Sequence, residues 1–495
     1  MPYAITQSCC SDASCVSVCP VNCIHPTPQE RAFGSTEMLY VDPNTCISCG
    51  ACSDACPADA IHPIETLTGP LQQYAAINAA YFEDIPPATD PAPNFHLWDQ
   101  PEPPRPLPSA RIPLRVAIVG TGPAGTYAAE DLLLHTDAEV TLIDRLSSPG
   151  GLLRYGVAPD HLATRKVADR FTRFHDHPRT RTVLGVEIGR DLTHEDLLRH
   201  HNAVIYAVGS ANDRALGIPG EDLSGSIPAR RFVGWYNGHP ELTADAVALP
   251  PGRVVIAGTG NVALDVARIL TSDPSTLRNT EIAPRALSAL ETHENREVVL
   301  FARRGPAEAA YSLSELLELQ HLAGVDLVVD DHDPRTRADV EVAVGNAKAA
   351  ALRDVAFEAI DWEAEPKPGR RIVLRFYTSA VELTGDDRVQ SVRTADGLEL
   401  DTELFIRSVG YRGTAIPGLP FDDAAGVVPN ESGRVSPGTY VVGWIKRGPS
   451  GGIGTNRTCA KQTIDALLAD AAAGVLPKPP GSRRKFLRLA AQHTR

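Results

Sequence analysis

The chain has 495 residues, 43% hydrophobic and 22% charged, with a formal net charge of −14 and ten cysteines. That length exceeds what one core supports and predicts about three domains, each large enough to fold without covalent staples. No apolar run reaches membrane-span length and the N-terminus lacks a basic start followed by an apolar stretch, so a cytoplasmic chain is expected rather than a membrane or secreted one.

The first segment is acidic and rich in cysteine. Residues 1–100 carry one basic residue, Arg31, against eleven Asp and Glu, and nine of the ten cysteines lie in the first 56 residues. Such a module repels nucleic acid and steers toward a basic protein face. In a reducing compartment, clustered C-x2-C spacings point to metal rather than disulfides. In "CISCGACSDACP", Cys46, Cys49 and Cys52 have the spacing that wraps three thiolates around one iron–sulfur cluster, while Cys56, before Pro57, turns to a neighbouring cluster. A zinc site is the alternative, but zinc favours two separated cysteine pairs.

The earlier stretch "CCSDASCVSVCPVNC" repeats that pattern with one change. Counting back from Cys19-Pro20, the matching positions are Cys9, Asp12, Cys15 and Cys19. By the same exchange Cys19 completes the cluster of Cys46, Cys49 and Cys52, and the other site holds Cys9, Cys15 and Cys56 with Asp12 at the fourth corner. A three-iron cluster is the preferred reading, and a four-iron cluster ligated by Asp12 is the alternative. Cys10 competes with Cys9, whose register matches the spacing. Cys23 and Cys459 read as packed, unligated thiols.

A short helix is predicted over 71–82. Ten prolines between Pro86 and Pro113 then rule out helix and sheet pairing and make 83–113 a semi-rigid tether. Beyond it, "LRVAIVG" (114–120), the helical "TYAAEDLLLH" and "EVTLID" (139–144) form a βαβ unit, and a second runs from "RVVIAGTGNVALDVARIL" (253–270) to "EVVLFARRG" (297–305). Shorter strands follow from Arg371 to Tyr411.

Each βαβ unit carries a glycine loop. In "GTGPAG", Gly120 makes the tight turn, Gly122 admits a pyrophosphate and Gly125 lets helix and strand pack closely; Pro123 and Ala124 open the helix. Asp144 ends the next strand, placed to accept from a ribose. In "GTGNVA", Gly258 and Gly260 precede Asn261, Val262 and Ala263 at a helix start suited to phosphate. Arg303 and Arg304 follow the next strand where an acid would otherwise stand, which favours the 2′-phosphate of NADP over NAD. Nicotinamide gives two electrons as a hydride and each cluster accepts one, so a flavin must stand between them, with FAD in the first βαβ unit.

From Leu114 to about Ala469 the chain resembles the adrenodoxin reductase-type ferredoxin–NADP reductases, in "VGTGPAG", "GGLLRYGVAPDH" (150–161), "GTGNVALDVAR", "RRGP" and "GWIKRGPSGGIGTN" (443–456). Residues 1–82 resemble the seven-iron ferredoxins, so the whole resembles the actinobacterial fusion of the two. The resemblance implies an α/β architecture: an N-terminal α+β two-cluster ferredoxin domain fused to a two-Rossmann-domain reductase of the adrenodoxin reductase/glutathione reductase-like type. Its expected divisions are the ferredoxin domain (1–70), a helix and linker (71–112), a first FAD-binding segment (113–215), an inserted NADP-binding domain (216–403), and a second FAD-binding segment with a basic tail (404–495).

It also implies residue roles. Arg145, Gly151 and Leu152 join the FAD residues. Gly443, Trp444 and the run Gly451, Gly452, Ile453, Gly454, Thr455 and Asn456 would pack against the isoalloxazine, with Trp444 near the nicotinamide. His161 and Asp265 match residues near the flavin, and Glu315 and Glu318 match acidic residues near the nicotinamide. Hydride transfer needs no general acid, so these are read as orienting or tuning groups, with packing the alternative for His161 and a solvated helix face the alternative for the glutamates. The tail "GSRRKFLRLAAQHTR" reads as a frayed, solvated end. The expected function is an NADPH-dependent reductase feeding electrons through its own clusters to a ferredoxin or P450-type acceptor. A glutamate-synthase-like input subunit and a redox or iron sensor are the competing readings.

Overall fold

Buried parallel strands need both faces covered and read as near-continuous apolar runs, and the two βαβ stretches become such strands. The computed structural model describes residues 2–83, 113–293, 295–343 and 346–493; the proline tether expected over 83–113 falls almost wholly outside them. The chain divides into two units, one of Met1–Val157, Ala163–Asn212 and Tyr411–Arg495, the other of Ala158–Leu162 and Asp213–Gly410.

In the first unit, Arg115–Val119 is the strand of the first glycine loop, and Val116, Ala117 and Ile118 are fully buried. It pairs in parallel with Glu139–Asp144 on one side and Ala203–Tyr206 on the other. Thr180–Leu184 and Thr439–Val441 extend this sheet in parallel, and Arg434–Ser436 closes it antiparallel. Helix Pro123–His135 packs against the 18-residue helix Thr455–Ala472. The basic tail differs from expectation. Arg483–Ala490 is a helix capped by Ser482, because Phe486 and Ala490, one turn apart, are buried in the core beside Leu197 and Val204.

The N-terminal region of this unit is small. Tyr3–Ile5 pairs antiparallel with Ile61–Pro63, and Ile24–His25 with Tyr40–Val41. Asn78, on helix Gln73–Tyr81, accepts from the N–H groups of Ile5 and Val41 and donates to the Ile5 carbonyl, tying strands to helix. A core this small supplies only about 3–5 kcal/mol, and Cys15, Cys19, Cys23 and Cys52 are among its buried residues.

The second unit has a seven-stranded parallel sheet, in the order Ser226–Pro228, Leu404–Arg407, Gly252–Ala257, Asn295–Phe301, Arg370–Arg375, Val325–Asp330, Ala356–Glu358. Leu404–Arg407, expected at the return to the FAD domain, pairs with Val254–Ala257 in this sheet, because "LFIR" is an apolar run that belongs between two buried strands. Ala380–Thr384, Ser391–Thr394 and Glu399–Asp401 form an antiparallel meander. No helix among the described residues is long and apolar enough to cross a membrane.

Candidate cofactor and cluster sites

The two cysteine motifs fold alike. Ser48 and Gly50 flank Cys49 in the left-handed region (φ 62° and 79°), and Ser11 and Ala13 flank Asp12 in the same way (φ 54° and 59°). Each loop then enters a five-residue helix, Ala51–Ala55 or Ser14–Val18, that carries the third motif position.

Cys19, Cys46, Cys49 and Cys52 line one pocket together with Tyr3, Cys23 and Ile47. A hydrogen bond from Cys23, whose Sγ lies 3.4 Å away, holds the Cys19 thiol down to about 6. A thiolate in a pocket lined by five cysteines suits an iron–sulfur cluster. Ile47 is 59% exposed and Cys49 is exposed, so this site reaches the surface.

Cys9 and Cys56 lie near enough to Cys15 to repel its ionised form. Burial, followed by repulsion from Cys9 and Asp12, pushes the Cys15 thiol well up. Thiols so placed would ionise only with a cation among them, which a cluster would supply. Cys9 Sγ accepts from the Ser11 N–H at 3.4 Å and packs with the small core. Cys10 packs instead against the core of the larger α/β region, and its carbonyl accepts from the Gly454 N–H at 2.8 Å. Asp12 is turned toward Arg170, at 3.0 Å. Cys459 is buried and accepts from the Gly443 N–H at 3.3 Å.

At the first glycine loop, Gly120 adopts φ 108° and an added Cβ would meet the Ala207 carbonyl oxygen at 2.4 Å; at Gly125 it would meet that of Gly120 at 2.0 Å. Gly122 caps the 13-residue helix without any side-chain cap. Its uncapped N–H groups, those of Ala124 and Gly125 among them after Pro123, are a ready anion site. Gly151 approaches Gly122 and Gly443 approaches Ala124, so the separate segments expected around FAD are brought together. Asp144 makes its contacts within the loop. Its Oδ2 accepts from the Thr121 N–H (2.8 Å) and hydroxyl (2.5 Å), and its Oδ1 from the Leu146 N–H, so the carboxylate braces the loop. Arg145 and Leu152 are exposed.

Trp444 stacks on Tyr411 at 5.9 Å and donates from its indole to the Ser450 carbonyl, which holds the Gly451–Gly452 turn. Ile453 packs toward the core, and Asn456 donates to the Gly452 and Ile453 carbonyls. Gly454, at the cap of the helix that starts with Thr455, lies against the Ser11–Asp12 backbone, which no reading of its own segment foretells.

In the second unit, Gly260 caps helix Asn261–Thr271 without a side-chain cap, and nothing lies within 4 Å of its would-be Cβ. Gly258 turns at φ 116° against Ser408, Asn261 accepts from the Ser312 N–H, and Val262 and Ala263 pack inward. That open, uncapped end fits a pyrophosphate. Arg303 and Arg304 are exposed just beyond the strand that ends at Phe301, and Arg304 pairs loosely with Glu308 at 3.6 Å.

His161, Asp265, Glu315 and Glu318 converge in this unit, around Arg268, a residue the motifs did not single out. Its guanidinium, 2% exposed, meets Asp160, Asp265 at 2.5 Å and Glu318 at 3.5 Å. Burial alone would lower the His161 pKa, but Asp265, Glu318 and Glu315 raise it to about 10. Arg268 Nη2 lies 2.8 Å from His161 Nε2, a contact only a neutral ring accepts; Glu318 lies 3.2 Å from the same nitrogen. The carboxylates outweigh one guanidinium, so the protonated ring donating to Glu318 prevails. Burial likewise opposes ionisation of Glu318, yet His161 and Arg268 hold it down to about 2. With the His161 pKa raised above its ordinary 6.5, its stabilising contribution is full below about 6.5 and is lost as pH rises through about 10. Glu318→Gln is expected to lower the His161 pKa by roughly one unit or more in an NMR titration of the ring; an unmoved pKa would mean that Glu318 does not govern it.

Residues 114–455 match the pyridine nucleotide-disulphide oxidoreductase family, and residues 39–62 match the 4Fe-4S binding domain. Over 507 aligned residues the chain is 47% identical to a probable ferredoxin/ferredoxin–NADP reductase of Mycobacterium tuberculosis (strain ATCC 25618 / H37Rv), covering 97% of this chain and 85% of that one. It is 44% identical to the Mycobacterium leprae (strain TN) protein of the same description, covering 99% and 90%. The solved structure of Mycobacterium tuberculosis FprA in complex with NADPH is similar with a TM-score of 0.68 at 40% identity, covering 77% of this chain and 90% of that one.

Proposed function

The chain belongs to the ferredoxin/ferredoxin–NADP reductases within the pyridine nucleotide-disulphide oxidoreductase family, and on that footing we propose a course for its electrons. They pass from NADPH, through FAD, to the chain's own clusters and then to an outside one-electron acceptor, a separate ferredoxin or a P450-type enzyme. FAD held here would supply the exchange between a two-electron hydride and single electrons. Around it, the residues bind and orient. The uncapped helix start at Gly122–Gly125 takes the FAD pyrophosphate, Asp144 braces that loop through Thr121, and Trp444 holds the turn beside the ring. Gly260–Ala263 takes the NADPH pyrophosphate, with Arg303 and Arg304 for its 2′-phosphate.

One observation carries the cluster order. The Gly454 N–H donates to the Cys10 carbonyl at 2.8 Å, joining the segment assigned to the flavin to the loop of Cys9. The site of Cys9, Cys15 and Cys56, read as a three-iron cluster, is therefore the entry. The four-thiol site, read as a four-iron cluster, is the exit, where exposed Ile47 and Cys49 offer a contact to a basic partner face.

Cys52→Ser is expected to cut NADPH-driven reduction of a separate ferredoxin at least about tenfold while NADPH-driven ferricyanide reduction stays within about twofold. Parallel steady-state assays read both. Undiminished ferredoxin reduction would send electrons directly from the flavin to the partner.

A further inference from the structure

Asp12 takes the backbone place that Cys49 takes in the other motif. It sits three residues before a helix-borne cysteine and between two left-handed residues, at the corner where a fourth ligand belongs. Cys49 is exposed, whereas the Asp12 side chain is 5% exposed. The difference lies in what covers it. Arg170, on helix Val167–His175, donates to Asp12 Oδ2 at 3.0 Å and to the Ser14 hydroxyl at 2.9 Å, and its other terminal nitrogen is held by Glu130 at 3.1 Å. Ser14 donates from its hydroxyl to the same Oδ2 at 2.6 Å and from its N–H to Oδ1 at 3.1 Å. Arg457 donates to the Asp12 carbonyl at 3.2 Å and adds a second positive charge 4.0 Å from Oδ2.

A carboxylate oxygen has about two lone-pair directions, and Oδ2 already faces two donors and two cations. Charge-assisted bonds of this kind are roughly twice as strong as neutral ones. To ligate iron through Oδ2, Asp12 would have to leave Arg170, whose guanidinium would then keep Glu130 and the Ser14 hydroxyl, while Oδ1 is held in turn by the Ser14 N–H.

Resting on the reading of the first site as a three-iron cluster, we propose that Arg170 withholds Asp12 from that cluster and so fixes its iron count. Arg170 is a positioning residue that acts through Asp12. The step it blocks is balanced without further reagents. A 3Fe–4S core that has taken one electron is neutral; it binds one ferrous ion to give a 4Fe–4S core of charge two plus, with three thiolates and the freed carboxylate as ligands. No proton moves and no other electron is needed.

The test uses full-length holoprotein, reduced by dithionite, given ferrous ammonium sulfate, desalted and reoxidised anaerobically, with iron counts and EPR read together. Wild type is expected to keep its three-iron signal. Arg170→Gln is expected to take up about one iron per chain and lose most of that signal, with iron binding tightened on the order of tenfold by the lost charge-assisted bond. Arg170→Lys, which keeps the charge, is expected to restore the signal, and adding Asp12→Asn to Arg170→Gln is expected to abolish the uptake. Ser14→Ala, which removes one of the two donors to the same oxygen and leaves both arginines in place, shifts uptake in the same direction to a smaller extent and serves if the glutamine variant loses its clusters. A wild type without any three-iron signal would overturn the reading of the first site and the clamp with it. A wild-type signal beside variants that ignore iron, or uptake that survives Asp12→Asn, would overturn the clamp alone.

Discussion

Gly454→Val is expected to slow the reduction of the clusters by NADPH at least about tenfold, read by stopped-flow spectra and freeze-quench EPR. The backbone conformation is ordinary there, with φ −67°, so the effect comes from contact alone. An added Cβ would lie 2.3 Å from the Asp12 nitrogen and from the Ser11 carbonyl carbon and oxygen. All three are backbone atoms in a loop held by left-handed residues and by two arginines, and none can swing aside. Overpacking costs about 1–3 kcal/mol and more when backbone must move, which lowers the equilibrium constant for seating the Cys9 loop here by roughly five- to 150-fold. The substitution also disturbs the hydrogen bond to Cys10, which the proposed path uses. Unchanged cluster reduction would mean that electrons do not cross at this contact.

Arg268→Ala is expected to destabilise the second unit by about 3–5 kcal/mol, the usual cost of stripping one partner from a buried charge network. Three carboxylates, Asp160, Asp265 and Glu318, would face one another with His161 as the remaining cation. Burial, with repulsion from Glu315, already pushes the Asp265 carboxyl well up, so it would take a proton rather than stay charged. The measurement is urea unfolding followed in parallel with NADP+ binding; the midpoint should fall by roughly 1–2 M. A loss below about 1 kcal/mol would place the cluster among solvated surface pairs.

What is legible in the sequence follows from how local each signal is. The glycine loops, the alternating strands and helices, and the cysteine spacing are all written within about twenty consecutive residues, and they fold as read. The partition of Cys19 to one site and of Cys56 to the other rests on the spacing alone, and the cavity around Cys19, Cys46, Cys49 and Cys52 accords with it. Contacts distant in the chain are silent. Arg170 lies 158 positions from Asp12, and Arg457 lies 445 from it. Nothing in either segment marks its arginine as different from a solvated one. Asp144 is visible as an acid at a strand end, but its turn toward Thr121 depends on rotamer and loop height. Arg268 is within reach of sequence reasoning, since it stands three residues after Asp265 on a helix, where side chains share a face. The tail helix is masked because charge dominates its composition while one buried phenylalanine decides its packing.

If NADPH electrons pass through the flavin into this chain's own clusters, both centres must respond to one reductant. An anaerobic NADPH titration of the full-length protein, followed by flavin absorbance and low-temperature EPR on the same samples, reads both at once. The predicted result is that the oxidised three-iron signal, near one spin per chain, disappears as the flavin is reduced. Flavin bleached by NADPH beside an undiminished three-iron signal would contradict it.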